Sequence, residues 1–304
     1  MADEPVTDGT VTWRVLLAET LLRLVDGGVG STPDVTPEAR WLCETASGLA
    51  GAEWVLGQGA PAGARAIARL DAMVERRLTG EPVQYVLGSW AFRHLDLMVD
   101  RRVLIPRPET EQVAGVAIDL ALAAPAPRVV VDLGTGSGAI ALSLATELPL
   151  GSVTVWATDA SADALDVARA NLAGIGRAGA HMRIERGSWF DALPAELRGR
   201  VDVVVSNPPY VADGDARLNE SVGAWEPASA LFGGPDGLDA VREIAAGAPE
   251  WLRPDGWLVL EIGAGQGGAV ADLLRAAGLA DIEIRTDHAG HDRVAVARRP
   301  EDLG

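Results

Sequence analysis

The sequence predicts an α/β fold in which a Rossmann-like domain with a mostly parallel, seven-stranded sheet follows a small helical domain and a β-hairpin. Apolar residues recur at helical spacing in the N-terminal third, and a short alternating stretch follows them. From residue 128 onward, apolar strand-like runs alternate with helical runs, as in βαβ units. We therefore expect a helical domain at residues 1–88, a hairpin linker at 89–108 and an α/β domain at 109–304.

Three helices are expected in the N-terminal domain. Apolar residues recur every three or four positions over residues 13–25, and Gly27-Gly28 ends this run. Thr36 followed by Pro37 is a typical N-cap and first helical position, so we expect the second helix to begin there. The third run covers residues 64–78.

A hairpin and an extended hinge are expected between the two domains. Short apolar runs with Arg101-Arg102 between them favour the hairpin. Pro106 and Pro108 hold residues 104–111 extended, which suits a hinge. The apolar residues of the hairpin stretch are Trp90, Phe92, Leu95, Leu97, Val99 and Val103.

The remaining chain predicts seven strands and four helices. The last two strands have no helix between them, so we expect them to pair antiparallel at an edge of the sheet. The predicted strands are residues 128–133, 153–159, 181–186, 201–207, 256–261, 281–285 and 293–297. The predicted helices are residues 138–147, 162–171, 238–248 and 266–277.

Composition and charge exclude several classes of protein. The 26 basic residues are all arginine, so lysine Schiff-base chemistry and a P-loop lysine are excluded. A net charge of −17 disfavours nucleic acid as the main partner. Cys43 is the one cysteine, which leaves no intramolecular disulfide, and we expect its thiol to be packed in the second helix. An acidic N-terminus and the lack of a long apolar run predict a soluble, cytoplasmic chain.

A glycine-rich turn follows the first strand of the α/β domain. Its glycines let backbone N–H groups approach a ligand, and Asp159 ends the next strand, where an acid binds ribose hydroxyls. Together they indicate an adenosine-containing cofactor, either NAD or S-adenosylmethionine. A ligand-free turn and a helix-capping Asp159 are the structural alternatives. The residues of the turn are Gly134, Thr135, Gly136, Ser137 and Gly138.

The segment Asn207-Pro208-Pro209-Tyr210 follows the fourth strand, at the edge where α/β sheets bind ligands. The carbonyl of the Asn207 side chain and the backbone carbonyl of Pro208 can accept both hydrogens of a planar NH₂ group and align its nitrogen with a methyl donor. The prolines stiffen this backbone, and Tyr210 can lie against the substrate or a sulfonium charge. The segment thus predicts N-methylation with S-adenosylmethionine and disfavours NAD; an ordinary proline-rich turn is the alternative.

Several segments together resemble the HemK/PrmC family of release factor glutamine methyltransferases, over nearly the whole chain. Residues 80–88 (GEPVQYVLG) match the family's G-x-P-x-Q-Y-x-x-G segment, and residues 104–111 (LIPRPETE) match its interdomain stretch. These two segments make the resemblance specific, because adenine and cytosine amino-methylases also carry Asn-Pro-Pro-Tyr. The other matching segments are residues 132–139, 187–190, 207–210, 226–227, 234–238 and 261–263.

The resemblance implies a class I S-adenosylmethionine-dependent methyltransferase domain, with S-adenosylhomocysteine as product and no metal. It implies methylation of the side-chain amide of the glutamine in the Gly-Gly-Gln motif of bacterial peptide chain release factors, which the N-terminal helices would dock. The family pattern assigns the catalytic and substrate-binding roles to Asn207, Pro208, Pro209 and Tyr210. It assigns cofactor contacts to residues 134–138, Asp159, Trp189 and Asn207, with core packing as the alternative for Trp189.

Other assignments stay open. Glu109 and Glu111 are expected in the first turn of a helix, with a contact to the cofactor amine as the alternative. A nucleic-acid amino-methyltransferase is the first rival function, and the charge of −17 and the matching helical domain count against it. A non-enzymatic adenosine-binding module is the second, and the intact Asn-Pro-Pro-Tyr segment counts against that. We expect no contact with membranes and no direct binding of nucleic acid.

Overall fold

The computed structural model describes residues 11–215 and 220–301, which divide into two compact units after Gly88. In the first unit, helices pack around a core that includes Leu24, Leu42, Trp54 and Leu70. Cys43 is fully buried there, as predicted, and burial raises the pKa of its thiol to about 11. The helices of this unit are α1 (Trp13–Asp26), α2 (Thr32–Ser47), α3 (Gly51–Gly57), α4 (Ala64–Leu78) and α5 (Val83–Leu87).

The predicted start of α2 is wrong by five residues. The N-cap is Ser31 and Pro33 lies in the first turn, so an equally good cap-and-proline pair precedes the predicted one. Pro37 therefore lies inside the helix, and the Thr36 hydroxyl donates to the Thr32 carbonyl at 2.6 Å instead of capping.

The second unit begins with the predicted hairpin, formed by β1 (Ser89–Phe92) and β2 (Leu95–Met98). The chain reverses at Arg93-His94, whereas Arg101-Arg102 lies beyond the second strand. Arg93 has a φ of 51°, uncommon for a residue with a side chain. Its guanidinium compensates by donating to both carboxylate oxygens of Glu147 at 2.6 Å and to the Glu111 carbonyl at 2.9 Å. The turn is thus anchored to the helices that carry these two acids.

A seven-stranded sheet with helices on both faces forms the rest of the second unit. The strands are β3 (Arg128–Leu133), β4 (Val153–Asp159), β5 (Met182–Arg186), β6 (Val201–Ser206), β7 (Leu252–Glu261), β8 (Ala280–Thr286) and β9 (Asp292–Arg298). The helices are α6 (Pro108–Ala123), α7 (Ala139–Glu147), α8 (Ala162–Gly174), α9 (Glu220–Trp225), α10 (Ala228–Leu231), α11 (Asp239–Trp251) and α12 (Gly267–Ala276).

The order of the strands is β5-β4-β3-β6-β7-β9-β8, and β9 runs antiparallel to both of its neighbours. The mostly parallel sheet and its antiparallel edge pair are therefore confirmed. Valine-rich strands such as Val201–Ser206 are buried throughout, as expected for a sheet covered on both faces. The predicted start of β7 at Gly256 is late, because Leu252 already pairs with Val201 and the intervening residues form a register shift.

In the described ranges, none of the helices combines the length and the apolar character that crossing a membrane requires.

Candidate active site

A cavity of about 230 Å³ opens at the carboxyl ends of β3, β4 and β6. This is the edge where open α/β sheets bind ligands, since the strand order reverses beside β3. The cavity is lined by Arg102, Val103, Leu104, Pro106, Thr110, Asp132, Gly134, Thr135, Gly136, Ser137, Ala139, Ile140, Asp159, Ala160, Ser161, Ala164, Gly187, Ser188, Trp189, Asn207, Pro209, Pro227, Ser229 and Ala230.

The glycine turn brings the backbone to the wall of this cavity. Gly134 has a φ of 70° and lies under Trp189, whose ring would stand 3.3 Å from a Cβ at this position. Gly138 has a φ of 86° and would place a Cβ 2.9 Å from the Leu142 side chain. Both positions therefore need glycine, the first for the approach of an indole and the second for helix packing.

Most N–H groups of the turn already have protein acceptors. Gly134 and Thr135 donate to the Thr158 carbonyl at 2.9 Å, and Gly138 donates to the Thr135 carbonyl at 2.8 Å. Gly136 donates to the Asp159 carboxylate at 2.9 Å. In a dinucleotide site, such N–H groups point at the pyrophosphate of the ligand. Here they already donate to protein acceptors, so they are not available to a pyrophosphate.

Asp159 holds the turn as well as lining the cavity. Its Oδ2 accepts from Gly136, and its Oδ1 accepts from the Ser161 N–H at 2.8 Å. The N-cap of α8 is Ser161, whose hydroxyl accepts from the Ala164 N–H at 3.2 Å. The capping alternative for Asp159 is thus wrong, and Asp159 lines the cavity together with the glycine turn.

Acidic groups set the charge of the cavity. Asp132 lines the cavity and is buried, and burial raises the pKa of its carboxyl to about 7. Thr135 Oγ1 donates to Asp132 Oδ2 at 2.6 Å and the Ala141 N–H donates at 3.1 Å, and both bonds favour the ionised form. Arg102 is the basic residue among the described lining residues, and its guanidinium already binds Asp100 at 2.5 to 3.1 Å. The lining favours a cationic ligand.

Two anchors hold the walls in place. Asn171 on α8 accepts from the Met98 N–H at 2.7 Å and donates to the Met98 carbonyl at 3.1 Å. It also donates to the Ser137 carbonyl at 2.9 Å, which ties the hairpin to the glycine turn. Trp189 has a φ of 44°, and its carbonyl accepts from Thr158 Oγ1 at 3.0 Å. Trp189 is half-buried, with one part of its ring against the core and another at the cavity.

The Asn-Pro-Pro-Tyr segment is placed by the end of β6. Ser206 donates its hydroxyl to the Leu133 carbonyl at 2.6 Å, so the ends of β6 and β3 are tied together. Asn207 and Pro209 line the cavity, whereas Pro208 and Tyr210 are not among the lining residues. The structure therefore brings part of the segment to the glycine turn and directs the Tyr210 side chain elsewhere.

Tyr210 points to a buried acid, Glu261, which lies in a segment that matches the family but has no role assigned from the sequence. Its hydroxyl donates to Glu261 Oε1 at 3.3 Å, and burial together with Glu261 raises the pKa of the phenol. Thr110 donates its hydroxyl to Glu261 Oε2 at 2.7 Å and accepts from Asn207 Nδ2 at 3.2 Å. Burial raises the pKa of Glu261 to about 7. The signal for Glu261 in the sequence is an acid directly after the apolar end of a buried strand.

Glu109 and Glu111 both lie in the first turn of α6 and outside the lining of the cavity. The Glu111 carboxylate accepts from the Arg93 N–H at 3.0 Å, so it serves the hairpin turn. Within the described ranges, no three His, Cys, Asp or Glu side chains form a group that could hold a metal ion.

Comparison with known proteins defines the class of protein. The family model of the methyltransferase small domain matches residues 118–222, and the model of the PrmC N-terminal domain matches residues 16–88. The catalytic domain of hMettl16, solved in complex with the MAT2A 3'UTR hairpin 6, has a TM-score of 0.52 at 15% identity over 79% of this chain and 83% of that chain. That likeness shows the fold alone. With the family models, it defines a methyltransferase of the class I S-adenosylmethionine-dependent fold.

Curated relatives give the family. A release factor glutamine methyltransferase from Xylella fastidiosa is 46% identical over 79% of this chain and 84% of the relative. One from Cereibacter sphaeroides is 43% identical over 91% of this chain and 95% of the relative. The chain belongs to the family of release factor glutamine methyltransferases, and the resemblance found in the sequence is confirmed.

Proposed function

We propose that this enzyme methylates the side-chain amide nitrogen of the glutamine in the Gly-Gly-Gln motif of bacterial peptide chain release factors, with S-adenosylmethionine as the methyl donor. Membership of the family supports the class of substrate. The single observation that carries the proposal is the position of Asn207, which lines the same cavity as the glycine turn. Because release factors act in translation, we place the reaction in the cytoplasm.

The cavity fits S-adenosylmethionine better than a dinucleotide. Asp132 and Asp159 make the lining acidic, and most N–H groups of the glycine turn are engaged, so a pyrophosphate would meet repulsion and few free donors. A sulfonium and an ammonium group suit the same lining. Asp159 would accept from ribose hydroxyls, residues 134–138 would contact the amino-acid part, and Trp189 would border the adenine. When bound, this cofactor supplies a methyl group on a positively charged sulfur.

Asn207 and Pro208 would hold the substrate amide. The Oδ1 atom of Asn207 and the carbonyl of Pro208 would each accept one amide hydrogen, which keeps the nitrogen aligned with the methyl group. The partial positive charge that develops on the nitrogen strengthens both bonds in the transition state. The new N–C bond would replace the methyl–sulfur bond of the cofactor and leave S-adenosylhomocysteine, and the nitrogen would then lose a proton to water, so the side chains need not act as a general base.

Pro209 and Tyr210 would hold the segment that carries the substrate contacts. Pro209 stiffens the loop and lines the cavity, and Tyr210 anchors the segment through Glu261. Residues 1–88, which match the PrmC N-terminal domain, would supply the surface that recognises the release factor.

The test is tandem mass spectrometry of a release factor after incubation with S-adenosylmethionine and the enzyme. We expect a single added methyl group on the glutamine of the Gly-Gly-Gln motif, and no product with Asn207→Ala at equal cofactor occupancy. Parallel incubations with DNA and tRNA test the rival substrate. Methylation of an adenine or cytosine with an unmodified release factor would contradict the proposal.

A further inference from the structure

A chain of hydrogen bonds connects two residues that line the cavity, Asn207 and Thr110, to a buried acid. Asn207 Nδ2 donates to Thr110 Oγ1 at 3.2 Å, and Thr110 donates to Glu261 Oε2 at 2.7 Å. Thr110 is 4% exposed and Glu261 is fully buried. The residues come from the loop after β6, from α6 and from the end of β7, so separate parts of the second unit meet at one side chain.

The number of hydrogens in this chain decides which way the Asn207 amide faces. A threonine hydroxyl has one hydrogen, and Thr110 gives it to the Glu261 carboxylate. Thr110 can then only accept from Asn207, so the NH₂ group of the amide must face Thr110. The carbonyl of the same amide then points away from Thr110, on a residue that lines the cavity. An inverted amide would set two acceptors against each other and present donors to a substrate that also donates.

We propose that Thr110 and Glu261 are positioning residues that hold the Asn207 amide with its Oδ1 atom toward the substrate. The inference rests on the proposed function, since it assumes that Oδ1 accepts a hydrogen from the substrate amide. Neither residue exchanges atoms with the substrate. They orient the Oδ1 acceptor before the substrate arrives. The free-energy cost of selecting one of the two Asn207 amide orientations is then not part of each turnover.

The charge of Glu261 controls this orientation. When Glu261 is protonated it can donate to Thr110, whose hydroxyl can then rotate and donate to an inverted Asn207 amide. The carboxyl has a pKa of about 7, raised first by burial and further by Glu109, and lowered by Thr110, Arg293 and Tyr210. These groups come from α6, β9 and the Asn-Pro-Pro-Tyr loop. The holding arrangement is therefore complete above neutral pH and is lost as the pH falls below it.

The test compares Thr110→Val, Thr110→Ser and Glu261→Gln with the wild type and with Asn207→Ala. A second buried threonine in the first unit, Thr20, gives the matched control Thr20→Val. For each protein, kcat on release factor is measured from pH 6 to 9 at saturating cofactor, and the Kd of S-adenosylmethionine is measured by calorimetry. Working at saturation removes the contribution of groups that titrate only in cofactor binding.

We expect Thr110→Val to lower kcat by about 10²-fold, the cost of a misplaced reacting group. Its Kd for the cofactor should stay within a few-fold, and Thr110→Ser should restore kcat because it keeps the hydroxyl. The wild type should lose kcat as the pH falls through about 7, the pKa of Glu261. Glu261→Gln should remove this acidic limb and keep measurable turnover, because its amide oxygen can still accept from Thr110.

Two outcomes would overturn the inference and leave the proposed function intact. In the first, Asn207→Ala is inactive but Thr110→Val has the same kcat as the Thr20→Val control. In the second, kcat of Glu261→Gln falls at low pH as it does in the wild type. Full turnover by Asn207→Ala would overturn the proposed amide contact itself, and with it the role of both positioning residues. The Asn207 variant thus distinguishes a failure of this inference from a failure of the proposed function.

Discussion

The Asp159 carboxylate accepts a hydrogen bond from the N–H of Gly136 at 2.9 Å. The acid that the sequence assigns to ribose recognition is therefore also a support of the glycine turn. Since Gly136 has a φ of 56° and contributes to the cavity wall, loss of this carboxylate changes both the shape and the charge of the proposed cofactor site.

Replacing Asp159 separates these two effects. Asp159→Ala should weaken binding of S-adenosylmethionine by about 10–150-fold, the equivalent of one charged hydrogen bond. Asp159→Asn should lose less, because its amide oxygen can still accept from Gly136. Calorimetry measures both affinities, and Asp163→Ala, an exposed acid in the first turn of α8, serves as the control. An unchanged affinity in Asp159→Ala would move the ribose contact elsewhere.

Cofactor affinity should depend on pH through Asp132. Burial raises the pKa of this carboxyl to about 7, so it is ionised above neutral pH and becomes neutral as the pH falls. A cationic ligand prefers the ionised form, and the Kd of S-adenosylmethionine should therefore rise between pH 8 and pH 6. In Asp132→Asn, the affinity should be lower at pH 8 and nearly independent of pH. A Kd that rises equally in this variant would assign the effect to another group.

A methyl group at Gly237 should disrupt the substrate segment. A Cβ there would lie 2.3 Å from the Tyr210 carbonyl oxygen, at a φ of 74°. We expect Gly237→Ala to lose turnover while cofactor affinity stays within a few-fold, because the clash displaces the loop that carries Asn207. Gly278→Ala is the matched control, with a φ of 82° and nothing within 4 Å. Equal effects of the two variants on kcat would mean that backbone strain alone is responsible.

The two units should divide the work of recognition. A pocket for one amide discriminates weakly, since a single methylene is worth about 1–3 kcal/mol, so selection among cellular glutamines needs a second surface. A chain of residues 89–304 should bind S-adenosylmethionine and methylate a short Gly-Gly-Gln peptide with a moderate loss of kcat/KM. On intact release factor, its kcat/KM should fall far more.

One preparation of this shortened chain is assayed on both substrates, which corrects for partial unfolding. Equal losses on peptide and protein would assign residues 1–88 a stabilising role and contradict docking.

The parts of the fold that the sequence predicts well are those with a strong local pattern. The bounds of β3 and β4 agree with the prediction because valine-rich runs end sharply at polar or glycine residues. Helix α6 is apolar around most of its surface and lacks the periodicity that marks a helix, so the sequence predicts only its first turn. Helices α3 and α5 were missed because they have seven and five residues, too few for a periodic pattern.

The same distinction holds for the candidate site. Asn207, Asp159 and the glycine turn belong to short motifs, and the structure places all of them at one cavity. The contact between Thr110 and Glu261 joins residues 151 positions apart in the chain. No local pattern encodes such a pair, so it required the folded structure. Asp159 shows a further limit, because its bond to Gly136 depends on the relative placement of two strands.

The position of β9 between β7 and β8 has a consequence for synthesis on the ribosome. β8 is translated before β9, yet within the described sheet it pairs with β9 alone. The edge of β7 is synthesised first and stays open until β9 has left the ribosome. During that interval β8 has no place in the sheet, and an unpaired apolar edge can recruit strands from other nascent chains. Chaperones that cover strand edges should therefore matter most for this protein just before β9 leaves the exit tunnel.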